Sequence, residues 1–180
     1  MWQKPIRWSR RITRCLIALV IGTAAYFGFV EPWVCGLTLR HSILREIAGA
    51  KEIRVIEHSI KWDDIHAGKF PIKPNWKETV YATVTLTSNQ ASQLRTIFSP
   101  ARDYSDFIDP ACIFEPHHRI QMLRPDGSVY SIEICFLCGQ LAINGENERM
   151  FPVGWESRLD GFISSISLRP NGPWEENGNR

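Results

Sequence analysis

The stretch "HRIQMLRPDGSVYSIEIC", residues 118–135, has the pattern of two short strands joined by a tight turn. Proline presets the backbone at the second turn position, and glycine takes a left-handed position, so Pro125, Asp126 and Gly127 suit a three-residue loop. A two-residue loop would mix apolar with polar partners, and a one-residue slip exchanges the buried and solvated faces. The predicted pairs are Ile120–Ile132 and Met122–Tyr130 on one face, and Arg119–Glu133 and Gln121–Ser131 on the other.

The chain around this hairpin alternates between helical and extended patterns. Apolar residues recur at helical spacing between Thr38 and Gly49, after Ser88, and over residues 155–168, whereas residues 52–58, 79–87 and 141–143 alternate as strands do. Residues 61–78 and 144–150 have neither period and are predicted to be loops. This order predicts an α+β fold, an antiparallel sheet of about four to five strands with helices on one face, preceded by an N-terminal transmembrane helix.

The N-terminal region predicts a membrane anchor. Lys4, Arg7, Arg10, Arg11 and Arg14 precede a largely uncharged stretch, which approaches the roughly 20 residues that cross a bilayer. The cations indicate a cytoplasmic N-terminus. A cleaved signal peptide is the alternative, although no clean small-residue cleavage site closes the segment. The predicted regions are a cytoplasmic segment 1–14, an anchor or signal peptide 15–34, one periplasmic or extracellular α+β domain 36–168, and a disordered tail 169–180.

Several functional classes lack support in the sequence. The formal net charge of +2 is too small to predict a nucleic-acid partner. No glycine-rich phosphate loop follows a strand, and no serine stands in a G-x-S-x-G turn. The expected partners are therefore the membrane, crossed once, and a protein that the sequence does not identify.

Cysteines and histidines are expected to gather at one end of the hairpin, since its register brings the start of one strand to the end of the other. Three interpretations compete: a structural zinc site, a disulfide and buried inert thiols. The zinc site would use Cys135 and Cys138 with Cys112 and His117 or His118, and the set that we prefer contains His118. A disulfide would join Cys112 to Cys135 or Cys138, and the predicted compartment favours it.

The segment "CIFEPHHRI…GSVYSIEICFLC", residues 112–138, resembles a motif of small bacterial proteins that have no assigned activity. In that motif a cysteine is followed by Pro-x-His and by a hairpin that ends in Ile-Cys-Phe-x-Cys. The resemblance makes His118 the matching histidine, whereas the register places His117 nearer Cys135. It implies that the cluster is a unit and does not imply a substrate.

A second candidate site lies in the predicted long loop, where Asp63, Asp64 and His66 are close in sequence. Such residues can bind a metal or perform acid–base chemistry, although acidic residues in loops are usually only solvated. The leading hypothesis is a non-enzymatic, membrane-anchored interaction or envelope-associated module with a structural Cys/His cluster. The alternative is a thiol-disulfide oxidoreductase that uses Cys135 and Cys138.

Overall fold

A computed structural model describes residues 10–66, 68–69, 71, 74–100 and 112–169, so most of the predicted tail and residues 1–9 of the basic segment lie outside the described residues. The fold is α+β, and its sheet has six antiparallel strands in the order β2-β1-β3-β4-β5-β6. The strands are β1 (Glu52–His58), β2 (Val80–Thr85), β3 (His118–Leu123), β4 (Val129–Cys135), β5 (Gln140–Ile143) and β6 (Glu146–Met150). The helices are α1 (Arg10–Ala25), α2 (Glu31–Gly49), α3 (Lys61–His66), α4 (Ser88–Phe98) and α5 (Trp155–Ser165).

The β3–β4 hairpin has the predicted register. Ile120 pairs with Ile132 and Arg119 pairs with Glu133. At the turn, the Arg124 amide donates to the Ser128 carbonyl at 2.8 Å, and Gly127 has a φ of +86°. That backbone angle is open to glycine at little cost, which explains why the turn fixes this register.

The β5–β6 hairpin was not predicted, and the interpretation of residues 144–150 as a loop is wrong. Asn144 and Gly145 both have positive φ values, 52° and 74°, as a two-residue hairpin turn of the primed type requires. The strand that follows, Glu146–Met150, carries charges in place of alternating apolar residues. This composition hid the strand, although Asn-Gly is itself a strong hairpin signal.

The predicted loop over residues 61–78 is also partly wrong, since it contains the short helix α3. The helix predicted after Ser88 is α4, which begins at Ser88 and has Thr87 as its N-cap. The Thr87 side chain accepts from the Gln90 amide, and the Gln90 side chain accepts from the Thr87 amide. This reciprocal pair satisfies two amides that a helix start otherwise leaves unpaired.

The hydrophobic core lies between one face of the sheet and helices α2, α4 and α5. We call this face the helix-covered face and the other the open face, and alternation along each strand assigns side chains to one or the other. Phe98 and Trp155 meet edge to face at the centre of the core, with ring centroids 4.8 Å apart. Its fully buried members include Ile43, Val55, Leu94, Ile120, Ile132, Ile134, Leu141, Leu159 and Ile163.

The N-terminal helix is long and apolar enough to cross a membrane. It runs without a break from α1 through a π-helical segment, Tyr26–Val30, into α2. Its 38-residue part Ile12–Gly49 contains an 18-residue window with a mean hydropathy of 1.7. None of that window is buried against the rest of the protein, so the fold itself gives these apolar side chains no cover. The predicted helix between Thr38 and Gly49 is the C-terminal part of this longer helix.

Candidate functional site

A disulfide joins Cys112 to Cys138 across 5.9 Å between their Cα atoms. Cys138 lies in the four-residue turn between β4 and β5, where Gly139 has a φ of +60°. Cys112 precedes β3 by six residues, so the bond attaches the segment that leads into β3 to the far end of the β4–β5 hairpin. Of the three interpretations, a disulfide at Cys112 is the one that the structure contains.

The zinc interpretation finds no support. Two sulfurs of the preferred ligand set, those of Cys112 and Cys138, are bonded to each other. Within the part of the chain that the structure describes, no group of three histidine, cysteine or acidic side chains is placed to hold a metal ion.

The remaining cysteine of the cluster, Cys135, is a free thiol that is 1% exposed. Burial raises its pKa, and backbone hydrogen bonds from Glu115 and Cys138 offset only part of that rise. A redox-active cysteine needs a stabilised thiolate in a partly exposed, electropositive setting. The environment of Cys135 thus differs from that of a catalytic thiol.

The two neighbouring histidines point to opposite faces of the sheet, because consecutive strand residues alternate. His118 is 1% exposed on the helix-covered face, opposite Glu57 of β1, with its ring edge-on to Phe136 at 5.4 Å. Burial lowers its pKa to about 4, and the charges of His117 and His58 act in the same direction, while a backbone hydrogen bond with Arg169 partly opposes them. The ring is therefore neutral at pH 7.

His117 lies on the open face, with Nε2 2.8 Å from Asp63 Oδ1. The sequence placed these two residues in separate candidate sites, and the fold brings them together because α3 lies on the open face. Asp64 instead accepts from Trp76 Nε1 at 3.1 Å and from Lys69 Nζ at 3.0 Å. The side chain of His66, the third member of the predicted loop site, lies outside the described residues.

The open face also carries a group of charges that sequence reasoning did not assemble. Arg119 donates to both oxygens of Glu78, at 3.1 and 2.8 Å, and through Nε to Glu133 Oε1 at 2.6 Å. The Arg119–Glu133 contact follows from the predicted register. Glu78 lies two residues before β2, and it reaches Arg119 of β3 across β1, which lies between these two strands in the sheet.

His58 completes this group, which we call the open-face network: His58, Glu78, Arg119 and Glu133. The His58 ring is 2% exposed, and Nδ1 lies 3.0 Å from the Ser59 carbonyl, which can only accept. Nδ1 therefore carries a proton. The same nitrogen lies 3.4 Å from Glu78 Oε2.

The other side of the His58 ring has no such partner. Its Nε2 lies 3.7 Å from Glu133 Oε2, and both atoms are buried without a hydrogen-bond partner among the described residues. Buried polar atoms without partners cost free energy, so this contact is the weak point of the open-face network.

Charge in the open-face network is balanced mainly by Arg119. Burial would raise the pKa of Glu78, but the hydrogen bonds from Arg119 and the charges of His58 and Arg119 hold it below its ordinary value. Burial acts to lower the pKa of Arg119, and its two carboxylate partners raise it on balance. The network therefore fastens the segment before β2 to the open face by ionic hydrogen bonds.

No family model, curated protein or solved structure matches this chain. The functional assignment therefore depends on the geometry of the chain itself.

Proposed function

We propose that the chain is a single-pass membrane protein whose folded domain, residues 36–168, faces the periplasm or the exterior and serves as a non-catalytic interaction module. The exposed apolar helix supports the anchor, since unburied apolar surface of this length requires a nonpolar environment. The basic residues that precede it support a cytoplasmic N-terminus.

The observation that carries the proposal is the Cys112–Cys138 disulfide in the folded domain. Disulfides persist outside the cytoplasm and are rare inside it, because cytosolic reductants keep thiols reduced. The disulfide and the charge asymmetry around the helix are independent features of the chain, and both favour the same side of the membrane.

The proposed module is non-catalytic because the reactive residue types are engaged in internal contacts. His118 is buried and neutral, His117 is bound to Asp63, and the thiol of Cys135 is buried with a raised pKa. The contact of His117 with Asp63 joins α3 to the segment that leads into β3. The cluster thus supports the shape of the surface that a protein partner would bind.

Topology is tested with the full-length chain carrying a C-terminal epitope tag. We expect the chain to stay in the membrane after an alkaline wash, and we expect external protease to remove the tag from intact spheroplasts. We also expect a mass shift on reduction that Cys112→Ser abolishes. Release by the alkaline wash, a protected tag, or maleimide labelling of Cys112 without reductant would each overturn the proposal.

The oxidoreductase alternative is favoured by one observation, the free thiol of Cys135 three residues from the disulfide. A glutathione buffer poised at about −200 mV tests it, because a catalytic thiol forms a mixed disulfide rapidly. We expect Cys135 to stay unmodified until the domain unfolds, and Cys112→Ser to reduce thermal stability alone. Rapid glutathionylation of Cys135 in the folded protein would favour the oxidoreductase.

A further inference from the structure

A cleft lies where the long helix enters the folded domain. Its volume is about 490 Å³, within the range of pockets that hold small ligands. It lies between α2 and the outer strands of the sheet, and we call it the α2–β6 cleft. Its lining residues are Cys35, Thr38, Leu39, Ser42, Tyr130, Ile143, Asn144, Glu146 and Arg149.

The helix side of the cleft begins directly after the exposed apolar stretch, whose last large side chains are Trp33 and Val34. Cys35, Thr38, Leu39 and Ser42 form one stripe, since residues three and four apart share a helix face. At 1.5 Å per residue this stripe rises by about 10 Å, which spans the roughly 5–8 Å headgroup layer of one leaflet. In the proposed topology, the cleft therefore opens at headgroup depth.

The strand side of the cleft carries one acidic and one basic side chain, those of Glu146 and Arg149. Glu146 pairs with Ile143, Arg149 pairs with Leu141, and the register shifts between these pairs. Leu141 and Ile143 lie on the helix-covered face, so the shift brings Glu146 and Arg149 to that same face although they are three residues apart. Both charges consequently lie beside α2.

The chemistry of the lining selects a ligand that has both signs of charge. A guanidinium binds phosphate, and a carboxylate binds an ammonium group. The Thr38 hydroxyl donates to the Val34 carbonyl and can still accept from the ligand, and the Asn144 amide nitrogen can donate to an ester oxygen although its own oxygen accepts from the Ser131 amide. Leu39 and Ile143 offer apolar surface. A zwitterionic phospholipid presents phosphate, ammonium, glycerol esters and chain within one molecule.

We infer that the α2–β6 cleft binds the headgroup of a zwitterionic phospholipid from the membrane that the helix crosses. This inference rests on the proposed anchoring. To the proposed anchoring, the inference adds a class of ligand and a fixed contact between the domain and the bilayer surface. β6 supplies both charged contacts from the edge of the sheet, where it has a single strand neighbour.

Lipid retention by the full chain in detergent tests the inference by native mass spectrometry. The chain is offered equal amounts of phosphatidylethanolamine, phosphatidylcholine and phosphatidylglycerol with matched acyl chains. We expect the two zwitterionic lipids to be retained over phosphatidylglycerol by about fivefold, the factor that about 1 kcal/mol per contact gives. Glu146→Gln should remove most of that preference, because only the zwitterionic lipids carry an ammonium group. Arg149→Gln should instead lower the retention of all three lipids, because each carries a phosphate.

The matched control is Glu148→Gln, which changes an exposed carboxylate of the same strand that does not line the cleft. It should leave retention unchanged. Equal retention of all three lipids, a preference for phosphatidylglycerol, or an equal effect of Glu146→Gln and Glu148→Gln would overturn the site. Circular dichroism identifies a variant that fails to fold, and Thr38→Val then replaces it as the test of the same cleft.

The alkaline wash distinguishes a chain that lacks the lipid site from a chain that lacks the membrane anchor. A chain that resists the wash but shows no headgroup preference is anchored and lacks the site. A chain that the wash releases refutes the anchoring on which the site depends.

Discussion

Arg119 connects two carboxylates from different parts of the chain, Glu78 before β2 and Glu133 on β4. We expect Arg119→Met to lower the free energy of unfolding by about 3 kcal/mol, because removing one member of a largely buried ion pair leaves the other charges uncompensated. Chemical denaturation of the full chain in detergent measures the loss.

Arg158→Met is the matched control for Arg119, since Arg158 is exposed on α5. The expected change there is within about 0.5 kcal/mol. Equal losses in the two variants would mean that the open-face network contributes no more than a solvated charge.

His118 gives the domain a pH dependence with a defined sign. Its pKa is about 4 in the folded protein against 6.5 ordinarily, so between these values the unfolded chain binds a proton that the folded chain does not. Its stabilising contribution is therefore present above pH 6.5 and is lost as the pH falls towards 4. That loss amounts to about 3 kcal/mol.

We expect His118→Phe to remove this part of the dependence of the unfolding free energy on pH. Denaturation curves at several pH values measure it. His41→Gln, at an exposed position on α2, should leave the slope as it is in the unaltered chain. If the unfolding free energy depended on pH in the same way with and without His118, the lowered pKa of this histidine would be contradicted.

At the scale of elements, the turn between β3 and β4 shows which parts of the fold the sequence could predict. Proline, aspartate and glycine fix the turn locally, and alternating apolar residues fix the faces, so the pairs Ile120–Ile132 and Arg119–Glu133 could be predicted. β6 was missed because its charges hide the alternation, and α3 because six residues are too few to show a helical period.

Gly127 tests how strongly this turn depends on its backbone angle. An added Cβ would meet no atom within 4 Å, so the cost of Gly127→Ala arises from the φ of +86° alone. The expected loss is about 1 kcal/mol. Thermal unfolding of the full chain measures it.

Gly161→Ala on α5 is the corresponding control. Its Cβ also meets nothing within 4 Å, and its φ is not positive. Alanine is favoured over glycine inside a helix, so this variant should gain up to about 1 kcal/mol. A similar change in both variants would mean that the turn angle has no special cost.

The candidate site was less predictable than the strands, because its contacts are distant in sequence. Sequence reasoning gathered Cys112, Cys138 and the two histidines, but alternation then separated His117 from His118 across the sheet. Nothing near His58 in the sequence indicates that it meets Glu78 and Glu133. Those contacts depend on the order of six strands, which no local pattern encodes.

For the whole molecule, the disulfide closes a sequence separation of 26 residues that contains the β3–β4 hairpin. A closed loop of this length restricts the unfolded chain and stabilises the folded one by about 3 kcal/mol. Replacing both Cys112 and Cys138 with serine should lose that amount, measured by denaturation under oxidising conditions.

Cys15→Ser, at an exposed position on α1, is the control for this double variant and should leave unfolding of the domain unchanged. Reductant should lower the stability of the unaltered chain and leave the double variant unaffected. A double variant as stable as the control would show that the cross-link contributes nothing to the domain.

The uninterrupted helix from Arg10 to Gly49 has a mechanical consequence in the proposed topology. No loop separates the apolar span from the domain, and helices kink at π-helical segments and at proline, so bending between span and domain is confined to Tyr26–Val30 and Pro32. A tilt or rotation of the membrane-spanning part of the helix therefore also tilts or rotates the domain. A partner protein in the same membrane would therefore meet the sheet within a restricted range of heights and orientations.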